Sequence, residues 1–359
     1  MPGTDSNLSE CTDLSVDLAR RLAPSPLPDD DLWFEDGNVI LAVGDKEFKL
    51  YRGPLMAHSL AFRDMLSLPQ PESGPASADD ACPVIRLDES VENLRHLLRR
   101  IPLSRTLTSV NEPSFDEVYA CIVLGRKYKC EKIVTQYIEY LRKFYPSYYK
   151  DYEPRFPSNP PPSNPPAFRP IDCVGVVNLA RSIGEDTLLP VALARCMDIP
   201  FSELSAGFVR ADGVRETCSL DDIVRIVEAQ KNLAQLYARA NASIFASTSC
   251  EDHACSDRTF PDLYAELVNE KTLPQDPLLL APTYVEFLQR THLKPHGLCQ
   301  YCYDTIIYRA RKQHEVTFDN LPTAMGVVVK NWNIDPQVLS LELLIARRRF
   351  RKVDKSLDM

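Results

Sequence analysis

The sequence of 359 residues has only 12 glycines, and it lacks the glycine-rich motifs that cradle phosphates. Neither G-x-G-x-x-G nor G-x-x-x-x-G-K-[ST] occurs, and H-E-x-x-H and G-x-S-x-G are also absent. The acidic runs Asp29–Asp31 and Asp79–Asp80 lie in polar segments, where solvated charges are expected. General acid–base catalysis needs a buried carboxyl with a shifted pKa. We therefore predict no catalytic residues and a protein that is not an enzyme.

An excess of positive charge is missing as well. Lysine and arginine total 41 against 50 acidic residues, which gives a net charge of −9. Nucleic-acid-binding proteins usually present a basic surface, so nucleic acid is not an expected partner. One basic cluster, Arg347–Arg349 with Arg351 and Lys352, is interpreted as cations at a helix C-terminus, with a nuclear-import signal as the alternative.

Long apolar runs and a secretory leader are not found. No window of about 18 apolar residues occurs, so no membrane span is predicted. The first residues, MPGTDSNLSECTD, lack a basic segment followed by an apolar one, so no signal peptide is expected. The 11 cysteines are odd in number and scattered, which favours free thiols in a reducing compartment, the cytoplasm or the nucleus.

Hydrophobic periodicity predicts an α+β domain over residues 31–146, after a disordered tail over 1–30. Val39–Val43 and Glu47–Leu50 flank a Gly-Asp turn and indicate a β-hairpin. Helices follow Pro54, a third strand covers 84–87, and three more helices precede Pro146. Strands and helices are segregated rather than alternating, which is typical of α+β proteins.

Beyond residue 146 the composition changes twice. Residues 147–170 are predicted to be a proline-rich linker, because prolines exclude helices and central strands. Residues 171–359 are predicted to be mainly helical. A capping box at Ser219 and Asp222 precedes an amphipathic helix to about Ala242. Further helices are predicted at the following positions: 187–198, 276–292, 298–316 and 336–352.

The segment over 31–71, DLWFEDGNVILAVGDKEFKLYRGPLMAHSLAFRDMLSLPQP, carries a family motif. The motif positions are these: Phe48, Arg52, Leu55, Ser59 and Phe62. A later segment, CIVLGRKY ending at Tyr128, also fits. Together they resemble the BTB/POZ domains of fungal proteins. The sequence departs from the family pattern at Asn38 and Tyr51, and at 101–104, where I-P-L-S stands in place of Y-T-G.

The resemblance implies a protein-interaction domain that pairs with a second copy through apolar residues on its first helices. The candidate surface comprises four residues: Leu55, Met56, Leu60 and Met65. The alternative is that these side chains fill the core of the domain itself. The stripe of Leu14, Leu18 and Leu22 fits a helix exchanged between two copies, or a transient helix in a solvated tail.

Four cysteines near the C-terminus have spacings that suit a structural zinc ion. Cys250 and Cys255 form one pair, and Cys299 and Cys302 form a C-x-x-C. Two close thiol pairs separated by a longer insert can supply a tetrahedral zinc site. The favoured alternative is free, buried thiols, since cysteine is commonly buried.

Taken together, the sequence predicts a non-enzymatic protein that binds other proteins and forms a homodimer. Two alternatives stay open. One is a substrate adaptor that binds a cullin-type ubiquitin-ligase scaffold. The other is a transcriptional regulator whose C-terminal region is stabilised by zinc.

Overall fold

The structure is a computed structural model that describes residues 26–67, 82–101, 112–152, 165–246, 260–269 and 298–335. These residues form two compact units. The first unit contains the described residues up to 101 together with 116–136, and the second contains 112–115 and the described residues from 137 onward. The chain is a mixed α+β protein that is mostly helical, and the α+β class is thus confirmed.

The first unit contains a four-stranded sheet of order β1-β3-β2-β4. Its strands are β1 (Leu27–Trp33), β2 (Val39–Val43), β3 (Lys46–Leu50) and β4 (Val84–Arg86). The predicted hairpin is β2 with β3, in which Val39 pairs with Leu50 and Val43 with Lys46. Gly44 at its turn has φ of +55°, a conformation that glycine adopts without steric cost. β1 and β4 pair in parallel with β3 and β2, respectively.

Strand β1 corrects the predicted extent of the N-terminal tail. Residues 27–30 were assigned to a tail but belong to this strand, and the Leu27 amide donates to the Asp45 carbonyl oxygen at 2.7 Å. Pro28 is tolerated here because β1 lies at the edge of the sheet. Asp29 corrects a second expectation, because it is 2% exposed rather than solvated. Its carboxylate accepts hydrogen bonds from Arg95 at 2.7 and 3.0 Å.

Five helices accompany this sheet along the chain. They are α1 (Arg52–His58), α2 (Leu60–Ser67), α3 (Val91–Arg100), α4 (Phe115–Lys127) and α5 (Glu131–Phe144). Ser90 caps α3 by accepting a hydrogen bond from the Asn93 amide at 3.4 Å, as predicted. The division between the units falls inside α5, between Gln136 and Tyr137, and not at residue 146.

The second unit is built mainly from helices. These are α6 (Tyr149–Tyr152), α7 (Asp172–Ile183), α8 (Leu189–Cys196), α9 (Phe201–Ala206), α10 (Leu220–Ile244), α11 (Phe260–Asn269), α12 (Gln300–Asp319) and α13 (Leu321–Ala324). A short 3-10 helix, Asp186–Leu188, precedes α8. Two short strands, β5 (Phe208–Val209) and β6 (Arg215–Glu216), form a hairpin that the sequence did not predict.

Three helices of the second unit lie where the sequence predicts them. Helices α8, α10 and α12 cover most of the predicted ranges. The Ser219 side chain caps α10 by accepting from the Asp222 amide at 3.1 Å. Helices α10, α11 and α12 share one apolar cluster that includes Leu263, Leu267 and Ile306. The predicted helices over 276–292 and 336–352 lie outside the described residues.

The first part of the predicted linker is instead folded into the second unit. Tyr149 and Tyr152 of α6 are buried, and the Tyr149 hydroxyl lies 3.2 Å from Nδ1 of His314 in α12. Asn333 secures this segment twice. The Asn333 backbone amide donates to the Ser147 carbonyl oxygen, and the Asn333 side-chain oxygen accepts from the Tyr149 backbone amide, both at 2.7 Å. The last part of the predicted linker is folded as well, because Phe168 is buried. Residues 153–164 lie outside the described residues.

Among the helices that the structure describes, none is both long enough and apolar enough to span a bilayer.

Candidate protein-interaction surface

Most of the motif residues of the first unit lie inside it. Phe48, Leu55 and Phe62 are fully buried, and Ser59 is 1% exposed. Arg52, at the first position of α1, is exposed. The apolar motif positions therefore build the core of the unit, which explains why large apolar side chains are needed at those positions.

Ser59 joins three elements of the first unit. It separates α1 from α2 with an extended backbone. Its hydroxyl donates to the carbonyl oxygen of Tyr128 at 2.5 Å and accepts from the Phe62 amide at 3.0 Å. The second bond satisfies one of the amides that the first turn of a helix leaves unpaired. The side chain thus ties the α1–α2 junction to the C-terminal end of α4.

Tyr128 is the last residue of the second motif segment, and it packs against the first. Its ring stacks on Phe62 with centroids 4.7 Å apart and planes within 4°. Its hydroxyl donates to Glu89 at 2.7 Å, and Lys127 pairs with the same carboxylate at 2.5 Å. Burial, followed by this hydrogen bond and the charge of Glu89, raises the pKa of Tyr128 above its usual value. Tyr128 therefore stays a neutral donor.

Asn38 and Tyr51, two of the three departures from the BTB/POZ pattern, lie at the start of α1. The Asn38 side-chain oxygen accepts from the Arg52 amide at 2.7 Å. The Tyr51 hydroxyl donates to Asp36 at 2.5 Å, which raises the pKa of Tyr51. Asn38 therefore contacts the backbone of Arg52 and brings no charge to the start of α1.

The structure divides the four residues of the candidate dimer surface. Leu55 is fully buried, so its assignment to a surface was wrong. The chain forms two helices separated at Ser59, so the helical spacing of a single continuous helix does not tell which side chains share a face. Leu60 is 42% exposed, and Met56 and Met65 are half-buried. Met56, Leu60 and Met65 are hereafter called the α1–α2 surface.

Two basic side chains border the α1–α2 surface. Arg63 donates through Nε to the Met56 carbonyl oxygen at 3.1 Å, and Arg52 places Nε 3.3 Å from Sδ of Met56. Both arginines are exposed. The surface thus combines adaptable apolar side chains with a charged rim, the composition that protein interfaces favour.

The predicted zinc ligands are described only in part. Cys250 and Cys255 lie outside the described residues. Cys299 accepts from the Cys302 amide at 3.4 Å and caps α12, and Cys302 is 2% exposed in the apolar cluster of α10, α11 and α12. Within the described ranges, no group of three or more histidine, cysteine or acidic side chains could hold a metal ion. The zinc site stays a prediction.

Other sequence features also fall on residues outside the described ranges. They are the leucine stripe at 14–22, the acidic pair at 79–80, the I-P-L-S segment from 102 onward and the basic cluster at 347–352. The sequence does not predict the contact between Glu89 and Tyr128, because no local pattern connects two residues that are 39 positions apart.

Comparisons with known proteins add no relative. No protein-family model matches the sequence. No curated protein matches it at a significant level.

Proposed function

We propose that this protein is a non-enzymatic interaction protein whose first unit is a BTB/POZ-type domain that pairs with a second copy through the α1–α2 surface. The order of elements supports the domain type. After β1, a β-hairpin, a helical hairpin, a short strand and three helices follow one another, and the last of these helices crosses the division between the units. This is the order that hydrophobic periodicity predicts over residues 31–146.

One observation carries the proposal: the two separate motif segments meet in space. Ser59 and Phe62 from the first segment contact Tyr128 from the second, through a hydrogen bond and a stacked ring pair. A chance likeness in two distant segments would not require that their matching residues touch. The contact therefore favours a shared fold over a coincidence of apolar residues.

The α1–α2 surface fits a two-fold interface. A symmetric dimer uses the same patch on both copies, so an exposed leucine flanked by methionines can pack against its own equivalent. Met56 and Met65 have unbranched side chains, which adjust to the shape of a partner. Arg52 and Arg63 at the rim would remain solvated there and would require facing acids or water rather than each other.

The test is to replace Leu60 by glutamate in the full-length protein. Two glutamates facing each other across a two-fold interface are expected to raise the dimer dissociation constant at least about tenfold, because like charges in an interface cost several kcal/mol. Leu60 is the first residue of α2, where an acidic side chain suits the helix dipole, so the fold should be kept. Sedimentation velocity over a concentration series measures the constant.

Val84→Glu is the matched control. Val84 is 44% exposed, close to the 42% of Leu60, but lies on the edge strand β4 of the same unit. The Val84→Glu change should leave the dimer dissociation constant unchanged. A wild-type protein that is monomeric throughout the series, or equal loss of the dimer in both variants, would contradict pairing through the α1–α2 surface.

An affinity capture with the full-length protein, read by mass spectrometry, separates the proposal from its rivals. Recovery of the protein's own untagged copy supports self-pairing. Recovery of a cullin scaffold that survives the Leu60→Glu change would instead support a ubiquitin-ligase adaptor. Steeply salt-dependent binding to duplex DNA would support the regulator.

A further inference from the structure

Two buried thiols of the second unit face each other at very short range. Cys173 lies in the first turn of α7 and Cys196 is the last residue of α8. Their Sγ atoms are 3.1 Å apart, with the Cys196 thiol donating to the Cys173 sulfur. The two residues are 1% and 0% exposed. Helices α7 and α8 pack on each other, so the two side chains are held in this arrangement from both sides.

The surroundings keep both sulfurs in place. A third cysteine, Cys218, is 8% exposed and close enough to influence Cys196 electrostatically. Tyr145 is fully buried nearby, and the Arg195 guanidinium stacks over its ring at 4.5 Å. Arg195 also donates to the Phe144 carbonyl oxygen at 2.5 Å, which fixes the last turn of α8.

We propose that Cys173 and Cys196 are a site of reversible oxidation, at which a low-molecular-weight disulfide such as glutathione disulfide converts the thiol pair into an intrachain disulfide. The bonded S–S distance is about 2.05 Å, so the sulfurs must approach by about 1 Å. Because the side chains already point at each other, rotation within the two cysteines supplies most of this approach.

The reaction proceeds in two exchange steps. The thiolate of one cysteine attacks a sulfur of glutathione disulfide, which breaks that S–S bond, forms a mixed disulfide and releases one glutathione thiolate. The thiolate of the other cysteine then attacks the protein sulfur of the mixed disulfide and releases the second glutathione. The protein loses two electrons and two protons, and glutathione disulfide gains them to become two molecules of glutathione.

Reaction from the closed state is expected to be slow. The hydrogen bond with Cys173, followed by burial and nearby negative charge, raises the pKa of Cys196 above its usual value. The thiolate is therefore scarce at neutral pH, and the rate should rise with pH. Glutathione also needs a local opening of α7 or α8 to enter. Once formed, the bond would be shielded by the same burial, so the oxidised state should persist.

The disulfide would join positions 23 residues apart in the chain. A cross-link of this kind restricts the unfolded chain and so favours the folded state of the second unit. Oxidation should thus raise the urea midpoint of the second unit, and a reductant should lower it again.

The experiment incubates the full-length protein in buffers of stepped glutathione to glutathione disulfide ratio, then blocks free thiols with an alkylating reagent. Trypsin separates the three cysteines, because it cleaves after Arg181, Arg195 and Arg215. Mass spectrometry is expected to find the Cys173 peptide joined to the Cys196 peptide, with the linked fraction rising tenfold or more from reducing to oxidising buffer. Cys218 should stay alkylated.

Two variants test the assignment. Cys173→Ala should abolish the linked peptide and the rise in the urea midpoint, whereas Cys218→Ala should keep both. Full alkylation of Cys173 and Cys196 in the most oxidising buffer would overturn the proposal, and so would a dominant link to Cys218. Peptide mapping of the wild-type protein decides the question even where Cys173→Ala fails to fold.

Discussion

The two units differ in the number of polar side chains that they bury. Within the described residues, the first unit buries two polar side chains, Asp29 and Ser59. The second unit buries seven, namely Asp172, Arg210, Glu216, Asp222, Asn241, His314 and Thr317. A buried charge is tolerated only with a partner. The first unit is thus specified mainly by its apolar pattern, and the second depends on pairings between distant residues.

Two ionic clusters show this dependence in the second unit. In one, Arg210 donates to Asp212 at 2.8 Å and pairs with Glu216 across the β5–β6 hairpin. In the other, Asp222 at the start of α10 pairs with Arg181 of α7, 41 positions away. Asp222 also accepts from the Ser219 hydroxyl at 2.8 Å. The hairpin cluster also reaches α7, because Glu216 accepts from the Asn178 side chain, 38 positions away, at 2.6 Å. Both clusters thus join elements that no local sequence pattern connects.

The largest effect is expected from removing the cation of the hairpin cluster. Arg210→Ala would leave the carboxylates of Asp212 and Glu216, which are 3% and 9% exposed, without their counter-charge. Breaking a buried ion pair in this way costs about 3–5 kcal/mol. The free energy of unfolding, from urea transitions, measures the loss.

Arg215→Ala is the control for this change. Arg215 lies in the same hairpin but is exposed, and it donates to the Ala206 carbonyl oxygen at 3.0 Å. Its loss should alter the free energy of unfolding by about 0.5 kcal/mol or less. Equal effects at Arg210 and Arg215 would show that the buried cluster does not stabilise the unit.

Asp29→Asn in the first unit is expected to lower the free energy of unfolding by less, about 2 kcal/mol at neutral pH. This is the usual contribution of hydrogen bonds to a charged group. Burial alone would raise the pKa of Asp29. Hydrogen bonds from Arg95 and from the Asp31 and Leu32 amides, with the Arg95 charge, outweigh burial and lower it. A depressed folded-state pKa stabilises the protein above the unfolded value of about 3.9, and this contribution is lost as pH falls through the folded pKa.

The difference in unfolding free energy between wild type and Asp29→Asn should therefore shrink as the pH falls below about 4. Asp31→Asn serves as the comparison, since Asp31 lies in the same strand and pairs with Arg99, but both side chains are exposed. Exposed pairs contribute little, so this variant should unfold close to wild type at every pH. A pH-independent difference for Asp29→Asn would contradict the charged pair.

The smallest of the three effects is expected at the α1–α2 junction. Ser59→Ala removes the bonds to the Tyr128 carbonyl oxygen and the Phe62 amide, at a cost of about 1–2 kcal/mol. Ser67→Ala is matched to it, because the exposed Ser67 hydroxyl donates to the Arg63 carbonyl oxygen at 2.7 Å at the end of α2. The Ser67 variant should match wild type within about 0.5 kcal/mol in urea unfolding. A Ser59 variant as stable as that control would contradict the structural role of the junction.

Short sequence motifs predicted the elements that are stabilised by contacts between neighbouring residues. The Gly-Asp turn predicted the β2–β3 hairpin, and the Ser90 and Ser219 caps marked the starts of α3 and α10. Each of these features is stabilised by residues within a few positions of one another. The class of the first unit, and the order of its elements after β1, were predictable for this reason.

The elements that were missed depend on distant contacts. Strand β1 has the unpromising sequence LPDDDLW, and it is held by pairing with β3 and by Arg95, which is 66 positions from Asp29. The first residues of the supposed linker are fixed by Asn333, which is 184 positions from Tyr149. The Cys173–Cys196 pair likewise joins residues that are 23 positions apart. No period or cap in the sequence records such pairings.

The position of the division inside α5 has a consequence for anyone who cuts this protein into fragments. A piece covering 31–146, the obvious choice from the sequence, would lose Asp29 and half of β1. It would also keep Leu141 and Tyr145, which are fully buried in the intact chain, while discarding Arg195, whose guanidinium stacks on Tyr145. Such a fragment would expose an apolar helix end that is buried in the intact chain. Its self-association would then arise from this exposed end rather than from the native α1–α2 surface.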